Sequence, residues 1–218
     1  MDGPDTAVGG SLLRRLPKQE RSRERVDEIL AVAMRLIGEK GIDAVTMKEV
    51  AQHSGGPIAS VYQYFPNKSA IIATLYARYN RQIGILISEC LIEINSLARL
   101  HRAVDQMLTR YNRMMRENPP LLDLVNAVHA DKKLQNQDLE ETEKLVSEFF
   151  EASVHLFPEA ARPQYRRTLF LLFQLASSTV RMSFAMEGRD GEAMLQEFAN
   201  VVHLQIDRIA APADGRPR

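Results

Sequence analysis

Apolar residues recur at every third or fourth position over most of the chain. Between residues 21 and 40, Val26, Ile29, Leu30, Ala33, Leu36 and Ile37 fall on one side of a 3.6-residue period, which predicts an amphipathic helix stopped by Gly41. The same reading predicts helices near residues 46–54, 57–64, 68–95, 96–117, 121–130, 137–157, 163–186 and 192–210. Ile71, Leu75, Tyr79, Ile83, Leu86 and Cys90 line one side of the 68–95 segment, which Asn67 caps. Asn118-Pro119-Pro120, Pro158 and the Glu-Gly-Arg-Asp-Gly segment at 187–191 supply the stops. Alternating runs between hairpin dipeptides are missing, so the expected fold class is all-α.

The sharpest local punctuation lies in TMKEVAQHSGGPIASVYQYFPNK, residues 46–68. Thr46 is a natural N-cap, and Glu49 three residues on completes a capping box; Val45 and Val50 bracket it as a hydrophobic staple. Gly55-Gly56 stops this helix, since glycine accepts the positive φ of a helix end. Pro57 suits the first position of a second helix, where a missing N–H is no loss. Two short helices joined by a glycine turn form a helix-turn-helix, whose second helix enters the DNA major groove.

Val61 and Phe65 are four apart and face inward together, leaving Ile58, Ala59, Ser60, Tyr62, Gln63 and Tyr64 toward the rim or the DNA. Ile58 and Ala59 offer apolar contact to a thymine methyl, and Gln63 has the donor–acceptor pair that suits adenine. The hydroxyls of Tyr62 and Tyr64 suit phosphate oxygens. Lys68 opens the following helix, where free N–H groups attract phosphate, and Lys48 projects from the first helix toward a phosphate or a guanine.

The segment GGPIASVYQYFPNKSAII resembles the signature of TetR-type transcriptional regulators, with its tyrosine–any–tyrosine–phenylalanine turn and nearby lysine. The resemblance implies that Thr46, Ser60, Tyr64 and Lys68 hold phosphates, and that Lys48, Ile58, Ala59 and Tyr62 lie nearest the bases. Three positions depart from the pattern: Gly56 replaces a small apolar residue, Ala59 stands where glycine is common, and Ser69 where glutamate often follows the lysine. The resemblance covers roughly residues 21–78.

Charge refines this picture. The chain of 218 residues carries 28 basic and 28 acidic side chains, but residues 14–25 hold six Lys or Arg against two Glu. Residues 1–68 sum to +1 and the remainder to −1, a modest basic footprint on a near-neutral body. Residues 1–20 read as a flexible basic arm, with minor-groove contact and a frayed terminus as equal alternatives, and 212–218 as a disordered tail. Between them, 21–67 form the DNA-binding domain and 68–211 a helical effector-binding and dimerisation domain. Cys90 is the single cysteine, at a helical apolar position that suits a buried thiol. No secretory pattern opens the chain and the longest apolar run, residues 169–173, falls far short of a membrane span, so a cytoplasmic protein without membrane contact is expected.

In the larger half, residues 163–186 are apolar nearly all round at Leu169-Phe170-Leu171-Leu172-Phe173, and 192–210 carry Met194, Phe198, Val201, Val202 and Ile209. These two helices and their copies suit a four-helix homodimer interface, where the resemblance also implies the dimer; closure of a monomeric core is the plainer alternative. Met107, Tyr111, Met114, Phe149, Phe170, Phe173 and Met182 are candidates for an effector pocket, which the resemblance implies; at helical spacing such residues are also ordinary core. His101, His129 and His155 show no metal-ligand spacing and read as solvated or singly bonded, and no cofactor is expected. Arg110, Arg113 and Arg181 suit an anionic ligand or, more commonly, surface ion pairs. Ser177-Ser178-Thr179 and Glu140-Glu141 lack the partners an enzyme needs. The expected function is a regulator of double-stranded operator DNA, a repressor released by an unknown small-molecule effector. The alternative is a DNA-binding regulator, an activator included, without such a switch.

Overall fold

The computed structural model describes residues 20–130, 132–186 and 189–211, with backbone only at 132, 133 and 189. The arm expected over 1–20, Glu20 excepted, and the tail expected over 212–218 lie outside the described residues. Among those described the chain is all-α, as its periodicity predicts, with no strand.

The helices are α1 (Glu20–Lys40), α2 (Met47–His53), α3 (Ile58–Tyr64), α4 (Lys68–Cys90), α5 (Leu97–Glu117), α6 (Pro120–Ala130), α7 (Lys132–Ser153), α8 (Arg162–Ala185) and α9 (Arg189–Ala210). They sort into two units. The first holds the residues up to Arg81 together with Asn118–Asn136; the second holds Gln82–Glu117 and Gln137–Arg218.

In the first unit, all six apolar residues predicted along α1 are buried. Burying each of its Ile and Leu side chains contributes about 1.5–3 kcal/mol of transfer free energy. Gly41 ends the helix at φ 76°, its N–H returning to the Ile37 carbonyl at 2.8 Å. α2 crosses α1, α3 follows α2, and α6 packs on α1 through Leu121, Leu124, Val125 and Val128. Gly38 allows that last approach: a Cβ there would stand 2.5 Å from Cγ of Pro120.

The second unit is built on the α8–α9 hairpin, with α5 against α9. Its core holds Leu100, Val104, Val146, Phe149, Phe157, Tyr165, Leu169, Val202, Ile206 and Ile209. Several predicted boundaries shift. The helix expected over 68–95 stops at Cys90 because Glu93 takes a left-handed φ of 56°, and Ser96 then caps α5. The helix expected over 137–157 starts earlier, at Lys132, and ends at Ser153, where the Ser153 hydroxyl donates to the Phe149 carbonyl at 2.6 Å. Two short 3₁₀ turns follow, Val154–Leu156 and Glu159–Ala161. With its single proton used, Ser153 Oγ accepts from Tyr165 Oη at 2.7 Å, and the Tyr165 ring stacks on Phe157 with centroids 3.7 Å apart. Gly191, read in the sequence as part of a stop, lies inside the first turn of α9; a Cβ there would stand 2.4 Å from the Ser183 carbonyl oxygen, so its absence lets α9 cross close to α8.

Candidate nucleic-acid interface

The first unit assembles its DNA-reading elements from local signals. Thr46 caps α2: its Oγ1 accepts from the Glu49 N–H at 3.3 Å, and the Glu49 carboxylate accepts from the Thr46 N–H at 3.1 Å and from its hydroxyl at 2.7 Å. Both members of the predicted staple, Val45 and Val50, are buried. Lys40 pairs with Glu49 from the end of α1. That ammonium, with the Thr46 bonds behind it, holds the Glu49 carboxyl down at about 2 from its usual 4.5.

Gly55 turns the chain at φ 70°, and Gly56 N–H reaches back to the Ala51 carbonyl at 3.3 Å. Pro57 sits one position earlier than predicted, as the N-cap of α3, and its carbonyl accepts from the Ser60 N–H at 2.8 Å. Its φ of −65° suits either position, so ring geometry alone does not separate them.

Along α3, Val61 and Phe65 point fully inward as expected. Ile58 at 42% and Tyr62 at 38% exposure stand outward, with Ala59 and Gln63 exposed beside them and Ser60 half-buried. Tyr64 corrects the outward grouping: at 8% exposure it belongs to the buried face, three residues on from Val61. Lys48 and Thr46 are exposed on the same unit.

Lys68 is half-buried and already engaged. Its Nζ donates to the carbonyls of Ile42 at 2.9 Å and Asp43 at 3.2 Å, closing the α1–α2 loop, and leaves one N–H of three for anything outside. Asn67 caps α4 as predicted, its Oδ1 accepting from the Ala70 N–H at 2.9 Å.

Arg25, counted in the sequence only as part of a basic cluster, is a central member of this site. Its guanidinium reaches Glu28 Oε2 at 2.9 Å, the Ser54 carbonyl, Ser54 Oγ at 3.2 Å, and Ser60 Oγ twice, from Nε at 3.3 Å and Nη2 at 3.1 Å. The sequence signal for it is the second glycine of the Gly55-Gly56 pair. Gly56 has no positive φ to explain it, and a Cβ on it would lie 2.6 Å from Arg25 Nη2.

The candidate effector residues distribute differently. Met107, Phe149, Phe170 and Phe173 pack in or against the core of the second unit, with Phe149 edge-on to Phe173 at 5.8 Å. Tyr111 and Met114 are half-buried. Met182 does not join them: it is 48% exposed on α8. Arg110 takes the commoner fate, pairing with Glu89 and contacting the sulfur of buried Cys90 at 3.6 Å. His101 is half-buried rather than solvated on all sides. Its ring stacks on His203 of α9 at 4.6 Å, and each Nε2 lies 3.0 Å from an aspartate of the opposite helix, Asp207 or Asp105, too bent for a well-formed hydrogen bond. Among the described residues no His, Cys, Asp and Glu cluster has metal-site geometry, and no helix is long and apolar enough to cross a membrane.

The comparisons agree with this architecture. Residues 29–75 match the model described as bacterial regulatory proteins, tetR family, and residues 98–209 match the tetracyclin repressor-like C-terminal domain. The chain is 26% identical over 133 residues to the HTH-type transcriptional repressor KstR of Mycobacterium tuberculosis, covering 60% of this chain and 59% of that protein. It therefore spans about three fifths of that curated relative, and about half of others. A TetR-family transcriptional regulator from Streptomyces coelicolor superposes with a TM-score of 0.63 at 24% identity over 86% of this chain and 98% of that one. A putative TetR-family regulator from Mesorhizobium loti gives 0.64 at 17% identity, over 88% and 98%. The capped α2, the glycine turn and the outward face of α3 are thus carried by a chain that belongs to the TetR family of transcriptional regulators.

Proposed function

We propose that this chain binds operator DNA as a homodimer and represses transcription until a small molecule releases it. One observation carries the DNA-binding part. α3 is anchored by Val61, Phe65 and Tyr64 while Ile58, Ala59, Tyr62 and Gln63 stand free on its other face, beside Lys48 and Thr46 of the same unit. Such a helix has an apolar and polar edge for bases and hydroxyls for phosphates. The name of the KstR relative, a repressor, supports the sign of the regulation. The role puts its site of action in the cytoplasm.

Exposed apolar side chains of the second unit support dimerisation. Leu171, Leu175 and Met182 of α8 and Val201 and Leu204 of α9 are all more than 40% exposed. Two copies joined there present two α3 helices about one DNA turn, roughly 34 Å, apart or a multiple of it. An effector then acts by preferring the spacing that does not fit DNA; a coupling of about 1–3 kcal/mol changes affinity some 5–150-fold.

The test is anisotropy of a duplex selected by the full chain from fragments of the source genome. Tyr62→Ala and Lys48→Ala weaken its binding; unchanged binding in both refutes the role of α3. Leu204→Glu yields a monomer in analytical ultracentrifugation, and an intact dimer in that variant refutes the α9 interface. The reading without a ligand switch draws on the packed state of Phe149, Phe170 and Phe173. Release of the duplex by any compound in a broad lipophilic and cationic screen decides against it.

A further inference from the structure

Arg25 presents a complete hydrogen-bond ledger. A guanidinium has five N–H donors. Nε bonds Ser60 Oγ, the two Nη1 hydrogens serve Glu28 and the Ser54 carbonyl, and the two Nη2 hydrogens serve Ser54 Oγ and Ser60 Oγ. All five are spent inside the unit, so this cation has no donor left for a phosphate. Its partners are α1 itself, the end of α2 and the first turn of α3, the three parts whose relative placement aims the recognition helix.

The other end of the contact is equally constrained. A serine hydroxyl has two acceptor lone pairs and one O–H. Arg25 fills both lone pairs of Ser60 from Nε and Nη2, and among the described residues Ser60 Oγ has no acceptor of its own. The remaining O–H is therefore a dedicated donor on the half-buried rim of α3. Two cationic N–H groups on its oxygen also polarise it and make it a stronger donor than a free serine.

Gly56 makes room for this arrangement. A side chain there would collide with Nη2 at 2.6 Å and displace the guanidinium, while only touching Ser60 Oγ at 3.4 Å. Its backbone does not require glycine, unlike that of Gly55 at φ 70°. The bare Cα is the space the guanidinium occupies.

The geometry points to Arg25 as a positioning residue that orients Ser60 as a donor to a DNA phosphate oxygen, with Gly56 as the vacancy that admits it. This rests on the reading of α3 as the DNA-binding helix. Arg25 does not touch DNA; it acts through Ser60 and through the angle of α3.

The experiment is a double-mutant cycle on the full chain, read by anisotropy of the selected duplex over a salt series, with a thermal melt for each variant. Ser60→Ala, Arg25→Gln and Arg25→Lys each weaken binding about tenfold, the size of one hydrogen bond to a charged group. Arg25→Lys fails to rescue because an ammonium cannot reproduce the fork. The double variant Arg25→Gln with Ser60→Ala binds no worse than either single variant by more than about threefold, against the further tenfold (about hundredfold from the parent) of independent sites. Gly56→Ala weakens binding in the same direction while changing no charge, and it covers the case in which Arg25→Gln fails to fold. The slope of log affinity against log salt stays within about 0.5 of the parent for Arg25→Gln, because the neutral Ser60 hydroxyl displaces no counterion, whereas a lost Lys or Arg contact to phosphate flattens it by about 0.9.

Additive losses, full rescue by lysine, or a slope change near 0.9 each overturn the inference. Those outcomes with Tyr62→Ala still weakening binding remove only the role of Arg25. Intact binding in Tyr62→Ala and Lys48→Ala removes the α3 reading itself.

Discussion

Lys68 Nζ lies 2.9 Å from the carbonyl oxygen of Ile42, 26 residues earlier, and its second bond goes to the next carbonyl, of Asp43. The residue that opens α4 thus closes the loop between α1 and α2. Hydrogen bonds from a charged donor contribute about 1.5–3 kcal/mol each when well formed. Lys68→Met should cost about 1–3 kcal/mol, read as a lower urea midpoint with an unchanged m-value. An unchanged midpoint means the two carbonyl bonds carry no net stability. The salt slope of DNA binding in the same variant reports separately whether the third N–H reaches a phosphate.

The capping box at Thr46 has an acid-sensitive partner. Glu49 has a folded-state pKa near 2, below its usual 4.5, chiefly through Lys40 and then Thr46. Its contribution is therefore complete above about 4.5 and disappears as pH falls toward 2. Glu49→Gln should flatten the loss of thermal stability between those pH values, measured by circular dichroism melts. Parallel curves for parent and variant in that window contradict the assignment. Thr46→Ala should cost about 1 kcal/mol at neutral pH.

Tyr165 responds at the opposite end of the scale. Burial raises its phenol well above the ordinary value of 10. The folded state thus keeps a proton that the unfolded chain loses, so stability is complete below about 10 and falls as pH climbs beyond it. Tyr165→Phe removes the bond to Ser153, costs about 1 kcal/mol at neutral pH, and reduces the alkaline loss. Alkaline denaturation monitored by circular dichroism checks both parts; an equally steep alkaline loss in the variant rejects the second.

Two helical glycines should respond with opposite signs. Gly191→Ala drives a Cβ to 2.4 Å from the Ser183 backbone oxygen, which cannot rotate away, and should cost about 1–3 kcal/mol. A Cβ on Gly84, inside α4, would meet only Cδ2 of Leu145, at 3.8 Å. Gly84→Ala should therefore stabilise by about 0.5–1 kcal/mol through helix propensity. Midpoints from chemical denaturation of both variants decide the matter; equal signs contradict the packing argument.

What could be read from the residues alone follows the range of the forces involved. The Thr46–Glu49 box, the stop at Gly41, the turn at Gly55 and the Asn67 cap depend on neighbours within a few positions, and all occur as read. The α1 stripe is legible for the same reason. Features set by distant partners were not legible. The early end of α4 depends on a left-handed Glu93 that no glycine announced. Tyr64, by contrast, was within reach of the helix period: it lies three residues after Val61 and shares its buried face. The stacked His101 and His203 stand 102 positions apart and meet only because α9 returns to α5. Arg25 looked like one more charge in a basic run until Ser54 and Ser60 were brought to it from 29 and 35 residues away.

The seat of Pro120 on Gly38 has a practical consequence for anyone cutting this molecule into parts. A fragment ending near Arg81 would contain every residue of the helix-turn-helix and still lack the lid on the back of α1, because Leu121, Leu124, Val125 and Val128 return to that surface only after the chain has wandered through another unit. The excised piece would expose bare aliphatic side chains to water and tend to clump. An autonomous minimal version has to splice the 118–136 stretch back in with a short tether.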